Sequence, residues 1–211
     1  MESAVLVPMK SFGDAKARLA PVLDEQLRGM LARWTADRVF LAAAPMPVYV
    51  VCDSLDVAEF ADSRACTVLW KPGLGLNAAV QAAVDDLGHL GHDHVVVAHG
   101  DLPRAHALAS IVDQGTITLC PDMRSDGTNV IATPIGTPFT FSYGPGSFLR
   151  HLEHAIATGL PITVRRDPLF AIDIDTPSDL EHPLVQEVLP PWMPMSRDNR
   201  PKVFPWVPKD Y

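Results

Sequence analysis

Two short acidic stretches in this sequence have residue types and spacing suited to phosphate chemistry. His99-Gly100-Asp101-Leu102-Pro103 follows a run of valines, and Ile172-Asp173-Ile174-Asp175-Thr176-Pro177 sets two acids at i and i+2. On a strand, residues two apart face the same way. Like charges that close repel unless a cation lies between them. A carboxylate leaving the end of a central strand also suits Mg²⁺, a hard cation that takes oxygen ligands. Should the two stretches meet, Asp101 and Asp173 make an oxygen-rich metal cage, with Asp175 as a third ligand or a structural neighbour. The competing reading is plain turn and capping chemistry by Asp101 and Asp175.

Three further stretches could hold the anions such a metal would serve. Met9-Lys10-Ser11-Phe12-Gly13-Asp14-Ala15-Lys16-Ala17-Arg18-Leu19 brings three cations to the carboxyl end of an apolar run, where open α/β sheets bind ligands. Lys10, Lys16 and Arg18 are thus candidates for a polyphosphate, although the Gly-Lys-Ser/Thr of a Walker loop is missing. Ser125-Asp126-Gly127-Thr128-Asn129 and Tyr143-Gly144-Pro145-Gly146-Ser147 pair a hydroxyl loop with a glycine-rich helix start, where free N–H groups and the dipole favour an anion. Lys71-Pro72-Gly73-Leu74-Gly75-Leu76-Asn77 could pass backbone close to a flat base at Gly75, with Asn77 on its edge or on a sugar hydroxyl. His89, His92, His94, His99 and His106 lie close together but match no zinc pattern. They read as surface histidines, with His99 alone a candidate ligand contact. Nothing suggests a covalent nucleophile.

The elements that must position these residues alternate strand and helix. Ala4–Met9, Val48–Cys52, Cys66–Trp70, His94–Ala98 and Thr116–Cys120 read as strands. A helix capped by Asp24 and running to about Ala43, Ser54–Ala61, Asn77–Leu87 and Ala105–Asp113 read as helices. Repeated strand–helix–strand units imply a mostly parallel sheet with right-handed crossovers, an α/β fold of Rossmann-like type. Asn129–Thr133, Phe139–Tyr143, Ile162–Arg166 and Phe170–Ile174 are expected as further strands. A helix follows Gly144–Pro145 to about Thr158, and Thr176-Pro177-Ser178-Asp179 starts another with a near capping box.

The 211 residues suffice for one domain, here 1–182. Six of the 20 prolines fall in 190–211, so 183–211 reads as an extended proline-rich arm lying on the body or on a partner subunit. Its tryptophans make a homodimer an expectation. The formal charge of −8 argues against nucleic acid. No apolar run is long enough for a membrane span, and no basic region precedes the first strand as in a signal peptide. Cys52, Cys66 and Cys120 fit no metal or redox spacing and read as buried free thiols of a cytoplasmic protein.

Six segments in this order resemble the guanylyltransferases of deazaflavin (coenzyme F-420) biosynthesis: VPMKSFGDAKARLAPVLD at 7–24, GLNAAV at 75–80, GDLP at 100–103, DGTNV at 126–130, FSYGPGSFLRHL at 141–152 and DIDTPSDL at 173–180. That family couples GTP to 2-phospho-L-lactate, phosphoenolpyruvate or 3-phosphoglycerate and has a nucleotidyltransferase fold. The resemblance implies that Asp101 and Asp173 hold magnesium, that Lys10, Thr128, Gly144 and Ser147 contact the phospho-acid, and that Lys16, Arg18 and Asn77 serve the nucleotide. His99 stands where many relatives have a smaller or uncharged residue, and the arm from Pro183 has no family counterpart that can be placed. The alternatives are a related nucleotidyltransferase using CTP or another acceptor, and a non-catalytic nucleotide-binding protein docking through its tail.

Overall fold

The alternation of apolar runs and amphipathic segments folds into one sheet covered on both faces. The computed structural model describes residues 2–196. Strand β1 (Ser3–Pro8) leads through a 3₁₀ turn (Ala17–Leu19) to helix α1 (Glu25–Ala42), then β2 (Val48–Cys52), α2 (Leu55–Asp62), β3 (Thr67–Trp70), α3 (Leu76–His89) and β4 (His94–Ala98). After a second 3₁₀ turn (Leu108–Ile111) come β5 (Ile117–Pro121), β6 (Thr128–Pro134), α4 (Ser147–Thr158) and β7 (Ile162–Val164). Three short helices close the described chain: α5 (Pro168–Ala171), α6 (Pro177–Glu181) and α7 (Pro183–Gln186).

The strand order is β3-β2-β1-β4-β6-β5-β7. β1 pairs parallel with β2 and β4, and β2 with β3; β6 runs antiparallel between β4 and β5, and β7 is parallel to β5. Alternate residues of the central strands feed opposite faces, as the two-residue period of a strand demands. Ala4, Leu6, Val95 and Val97 meet Val80, Val84 and Phe148 of α3 and α4. Val5, Val7, Val96 and Ala98 meet Val39 of α1 and the fully buried Phe170. The Asp24 carboxylate accepts the Leu27 N–H at 2.8 Å and starts α1 as expected.

Four segments depart from the sequence expectations. Ala105–Asp113 makes only a 3₁₀ turn, because Ala107 adopts a left-handed φ of 35° that no α-helix continues through. Phe139–Tyr143 is extended, with Phe139, Phe141 and Tyr143 buried and Thr140 and Ser142 turned outward, yet it joins no sheet. Side chains take the place of a neighbouring strand: Tyr143 N–H donates to Asn77 Oδ1 (2.7 Å), Ser142 N–H to His151 Nε2 (2.8 Å), and Arg150 Nη2 to the Ser142 carbonyl (2.9 Å). Phe170–Ile174 is not a strand either. Its first residues belong to α5, capped by Asp167. Two backbone bonds tie it to the body: Ile174 N–H donates to the Asp101 carbonyl at 3.2 Å, and Met123 N–H to the Ala171 carbonyl at 3.1 Å.

The start of the proline-rich tail is helical where an extended arm was expected. His182 accepts the Leu184 N–H, and Pro183 occupies the first turn, where its missing N–H costs nothing. Val185, Leu189 and Met193 then enter a buried cluster with Leu19, Leu31, Ile174 and Leu180. The Gln186 amide donates to the carbonyls of Leu180 (2.6 Å) and Met195 (3.0 Å) and pins the turn. Residues 183–196 thus pack on the body, while Phe204 and Trp206 lie outside the described residues. Leu180 is fully buried in this cluster. Leu180→Ala is expected to cost about 2–5 kcal/mol, read as a lower urea midpoint with unchanged denaturant slope.

Candidate active site

A cleft of about 600 Å³ opens at the carboxyl ends of β1, β2 and β4, lined by Lys10, Lys16, Lys71, His99, Asp101 and Asp175 among others. Three chain segments meet at its floor. Lys16, with its side chain only 6% exposed, donates from Nζ to the Ile174 carbonyl at 2.6 Å and stands 3.8 Å from Asp101 Oδ2. Asp173 lies close enough to Asp101 that the two carboxylates repel. Burial, then the charges of Asp101 and Asp179, hold the Asp173 carboxyl above the ordinary carboxylate range, while Lys16 pulls the other way. The charges of Asp101 and Asp173 therefore act on each other, and a cation lies beside them: Lys16.

Asp175 departs from the expected shared face. Its carboxylate takes Arg18 Nη1 at 2.7 Å, on the open side of the cleft. Without a sheet to hold 172–175 in register, the i and i+2 acids are free to serve different partners. The following helix is capped by Thr176 and Asp179, whose Oδ2 accepts the Thr176 N–H at 2.7 Å and its hydroxyl at 2.9 Å. Among the described residues no trio of His, Cys, Asp or Glu is assembled for a metal ion. The pair Asp101 and Asp173 nevertheless suits a hard divalent cation. Asp101 Oδ1 is buried with no protein partner, and Mg²⁺ commonly binds through one or two carboxylates, keeping its waters.

The basic loop is held from below. Phe12 plugs into the core edge-on to Phe60 at 5.0 Å, under the Arg33 guanidinium. The Asp56 carboxylate accepts the Phe12 N–H at 2.9 Å. Lys10 is left exposed on the cleft wall and makes no ion pair among the described residues. Lys16, by contrast, is a buried counter-ion rather than an outward phosphate hook. Arg18 is spent on Asp175. Gly75 lines the cleft. Asn77 does not: both ends of its amide clamp the Tyr143 backbone, at 2.7 and 3.3 Å, so it supports the 139–147 segment.

Thr128, Gly144 and Ser147 form a separate corner beside this segment. The Thr128 N–H donates to Ser147 Oγ at 3.2 Å, and both residues are 2% exposed. Gly144 turns the chain with φ 119° just before α4. The start of α4 is less free for an anion than the sequence suggested. Asp126 Oδ2 already takes the Gly146 N–H at 3.2 Å, and the Asp126 carbonyl takes that of Phe148 at 3.0 Å. His99 links corner and acids. It lines the cleft, and its ring meets Tyr143 edge-on at 4.8 Å. Burial keeps His99 neutral by lowering its pKa, opposed by Asp101. His99 Nε2 and the Tyr143 hydroxyl are buried without partners.

The family described as Guanylyl transferase CofC like matches residues 3–186. The chain belongs to this family. A curated relative in it is the phosphoenolpyruvate guanylyltransferase of Sphaerobacter thermophilus, 34% identical over 190 residues, covering 86% of this chain and 92% of the relative. Another, from Chloroflexus aggregans and named alike, is 32% identical and covers 81% and 91% of the two chains. Among solved structures, a protein described as a nucleotide-diphospho-sugar transferase from Desulfovibrio desulfuricans superposes with a TM-score of 0.70 at 18% identity, over 97% of this chain and 90% of that one. A nucleotidyl transferase from Methanothermobacter gives 0.61 at 17% identity, over 85% and 94%. At these identities the solved structures show the fold alone, which is the nucleotidyltransferase fold anticipated from the motifs.

Within this guanylyltransferase fold, the residues that sequence reasoning missed are those that hold others. Asn129 donates to the carbonyls of Phe170 and Ala171, both at 3.0 Å, and so sets the approach to Asp173. His151, read only as part of a motif, is fully buried at the Thr128 corner. Lys71, on the cleft wall, is paired with Asp86 at 2.7 Å. No single-residue signal in the sequence separates these from surface polar residues.

The raised Asp173 pKa fixes the sign of a pH effect. The folded chain keeps a proton on Asp173 that the unfolded chain releases. Between the ordinary carboxylate value and the raised one, the folded state binds more protons, so stability falls as pH rises. Asp173→Asn removes this contribution. The stability difference, variant minus native, is expected to grow with pH across that window and level off above it, as read by urea titrations from pH 4 to 8. A flat difference would place Asp173 away from Asp101.

Proposed function

We propose that this chain transfers GMP from GTP to a phosphorylated three-carbon acid, phosphoenolpyruvate first among them, and releases pyrophosphate, in the assembly of a deazaflavin cofactor. The observation that carries this reading is the meeting of Lys16 and Asp101 in a cleft at the carboxyl ends of parallel strands, with the charge of Asp173 acting on Asp101. The relatives named phosphoenolpyruvate guanylyltransferase support the acceptor. The buried free thiols Cys52, Cys66 and Cys120 suit a cytoplasmic setting, where GTP is available.

The chemistry is the joining of two polyanions. A phosphate oxygen of the acceptor attacks the α-phosphorus of GTP, the bond to the bridging oxygen breaks, and pyrophosphate departs with the electron pair. A phosphate dianion is already a competent nucleophile, so no strong general base is needed, and none of the site residues is arranged as one. Magnesium held by Asp101 and Asp173 would supply charge neutralisation at the reacting phosphate. Lys10, exposed on the wall, meets the phosphates of the nucleotide or acceptor. Lys16 keeps the acid pair together and tempers its negative field at the α-phosphate. The Gly75 stretch lies along the base, and Thr128, Gly144 and Ser147 take the acceptor. Positioning of this kind accounts for a large share of the rate in phosphoryl transfer.

Incubation of the chain with GTP, Mg²⁺ and each phospho-acid, followed by mass spectrometry, is expected to give the guanylylated acid and pyrophosphate. A parallel panel with CTP should stay near background, and better turnover with CTP would remove the guanylyl assignment. Asp101→Asn is expected to lose about 10²–10³-fold in turnover with folding intact. Near-native turnover in that variant would sink the role given to the acid pair.

A further inference from the structure

The buried histidine of α4 does more than fill space. The Ser142 N–H donates to His151 Nε2 at 2.8 Å. A nitrogen that accepts from an amide carries a lone pair, so the ring proton of the neutral imidazole is assigned to Nδ1. Nδ1 lies 2.9 Å from Thr128 Oγ1, and the Nδ1–H therefore donates to that hydroxyl. The Thr128 N–H in turn donates to Ser147 Oγ at 3.2 Å. Each of the two hydroxyls accepts from the protein, each keeps its own proton, and no described residue accepts either proton.

Beside these protons the corner also holds the Tyr143 hydroxyl, which is buried without a partner. Burial lowers the His151 pKa to about 3, reinforced by His154, Arg150 and His99, so the ring stays neutral and keeps its Nδ1 proton. The α4 start is partly occupied by Asp126, as described above. The corner thus holds two oriented neutral O–H groups, on residues 2% exposed and outside the lining of the cleft, in the pattern that binds carboxylate or phosphate oxygens without adding a charge.

We propose that His151 is a positioning residue for the acceptor: its Nδ1–H occupies the acceptor side of Thr128 Oγ1 and so aims the Thr128 proton at the phospho-acid. This rests on the guanylyl-transfer reading and on Thr128 as an acceptor contact. The ring has two jobs that separate cleanly. Nε2 secures the Ser142 backbone, which is structural, and Nδ1 orients Thr128, which touches the acceptor. His151→Asn can keep a donor near the Nδ1 position, whereas His151→Gln can keep an acceptor near Nε2 and lacks the Nδ1 donor.

Steady-state kinetics on the full chain, with GTP and whichever phospho-acid of the three turns over best, test this. His151→Gln and Thr128→Val are each expected to raise the KM for the acid about tenfold, with the KM for GTP unchanged. The double variant should be no worse than either single, since both remove one oriented donor. His151→Asn should recover most of the acid KM. Multiplying KM effects in the double variant, or a His151→Gln enzyme with native acid KM, would overturn the positioning role and leave the reaction standing. A native acid KM in Thr128→Val would remove the acceptor contact itself. Absence of turnover by the native chain with every acid would instead strike the reaction.

Discussion

The repulsion between Asp101 and Asp173 is the constraint around which the site is built. Two carboxylates brought together in a half-buried place must be compensated or neutralised, and the chain does some of each. Lys16 lies against Asp101, and the Asp173 carboxyl is biased toward its protonated form. Neither suffices without mechanical restraint. The Ile174 N–H to Asp101 carbonyl bond, the Lys16 bond to the Ile174 carbonyl, and the Asn129 amide on the Phe170 and Ala171 carbonyls together hold the 170–174 segment against the end of β4. Phe170, fully buried and stacked on His106 at 4.6 Å, anchors the same segment from the core side. Energy from apolar burial is thus used to hold a charge arrangement that is unfavourable until a cation or a polyanion–cation pair arrives.

The sheet was legible because its centre follows simple rules. A five-residue run buried on both faces, as at His94–Ala98, has few alternatives to a central strand, here parallel to β1 on one side and antiparallel to β6 on the other. Asp24 announces α1 by its capping chemistry. The misread segments share one physical cause. At Phe139–Tyr143 buried and outward residues alternate, and at Phe170–Ile174 all but Asp173 are buried, but burial reports which side chains meet the core and says nothing about what satisfies the backbone. In the first segment Asn77, His151 and Arg150 replace a neighbouring strand. In the second a proline-started turn and backbone cross-links to Asp101 and Met123 do so. A segment held by side chains can take a shape that a ladder would forbid.

The same limit governs the site. Acids and cations were visible as types in short motifs, so Asp101, Asp173, Lys10 and Lys16 could be nominated from spacing. Their pairing could not. Arg18 and Asp175 neutralise each other because the 3₁₀ turn after β1 and the end of the 170–175 segment share the cleft rim, a proximity created only by the fold. His94 was read as a surface group because its spacing fits no metal pattern, yet it is 3% exposed, and His151, seen only inside a motif, is fully buried. Burial of a lone polar residue leaves no periodic trace in the chain.

These placements explain how a chain of formal charge −8 can be built to join two anions. Were both ligands met by clustered cations, the field that attracts them would also hold the product and the pyrophosphate. The cleft instead divides the task. In the proposed reaction Lys10 stands exposed on the wall, where a triphosphate must lose negative charge to be attacked, while Lys16 and Lys71 are paired with Asp101 and Asp86. In that proposal the Thr128–Ser147 corner, held by neutral His151, meets the acceptor with hydroxyls, while the neighbouring Arg150 guanidinium is spent on the Ser142 and Pro145 carbonyls. Neutral donors bind by direction rather than by net charge, so their strength depends on geometry and falls off steeply when a ligand oxygen is displaced. An acceptor fixed by direction and a donor fixed by charge can approach along one line, and in-line approach is what transfer at the α-phosphorus requires.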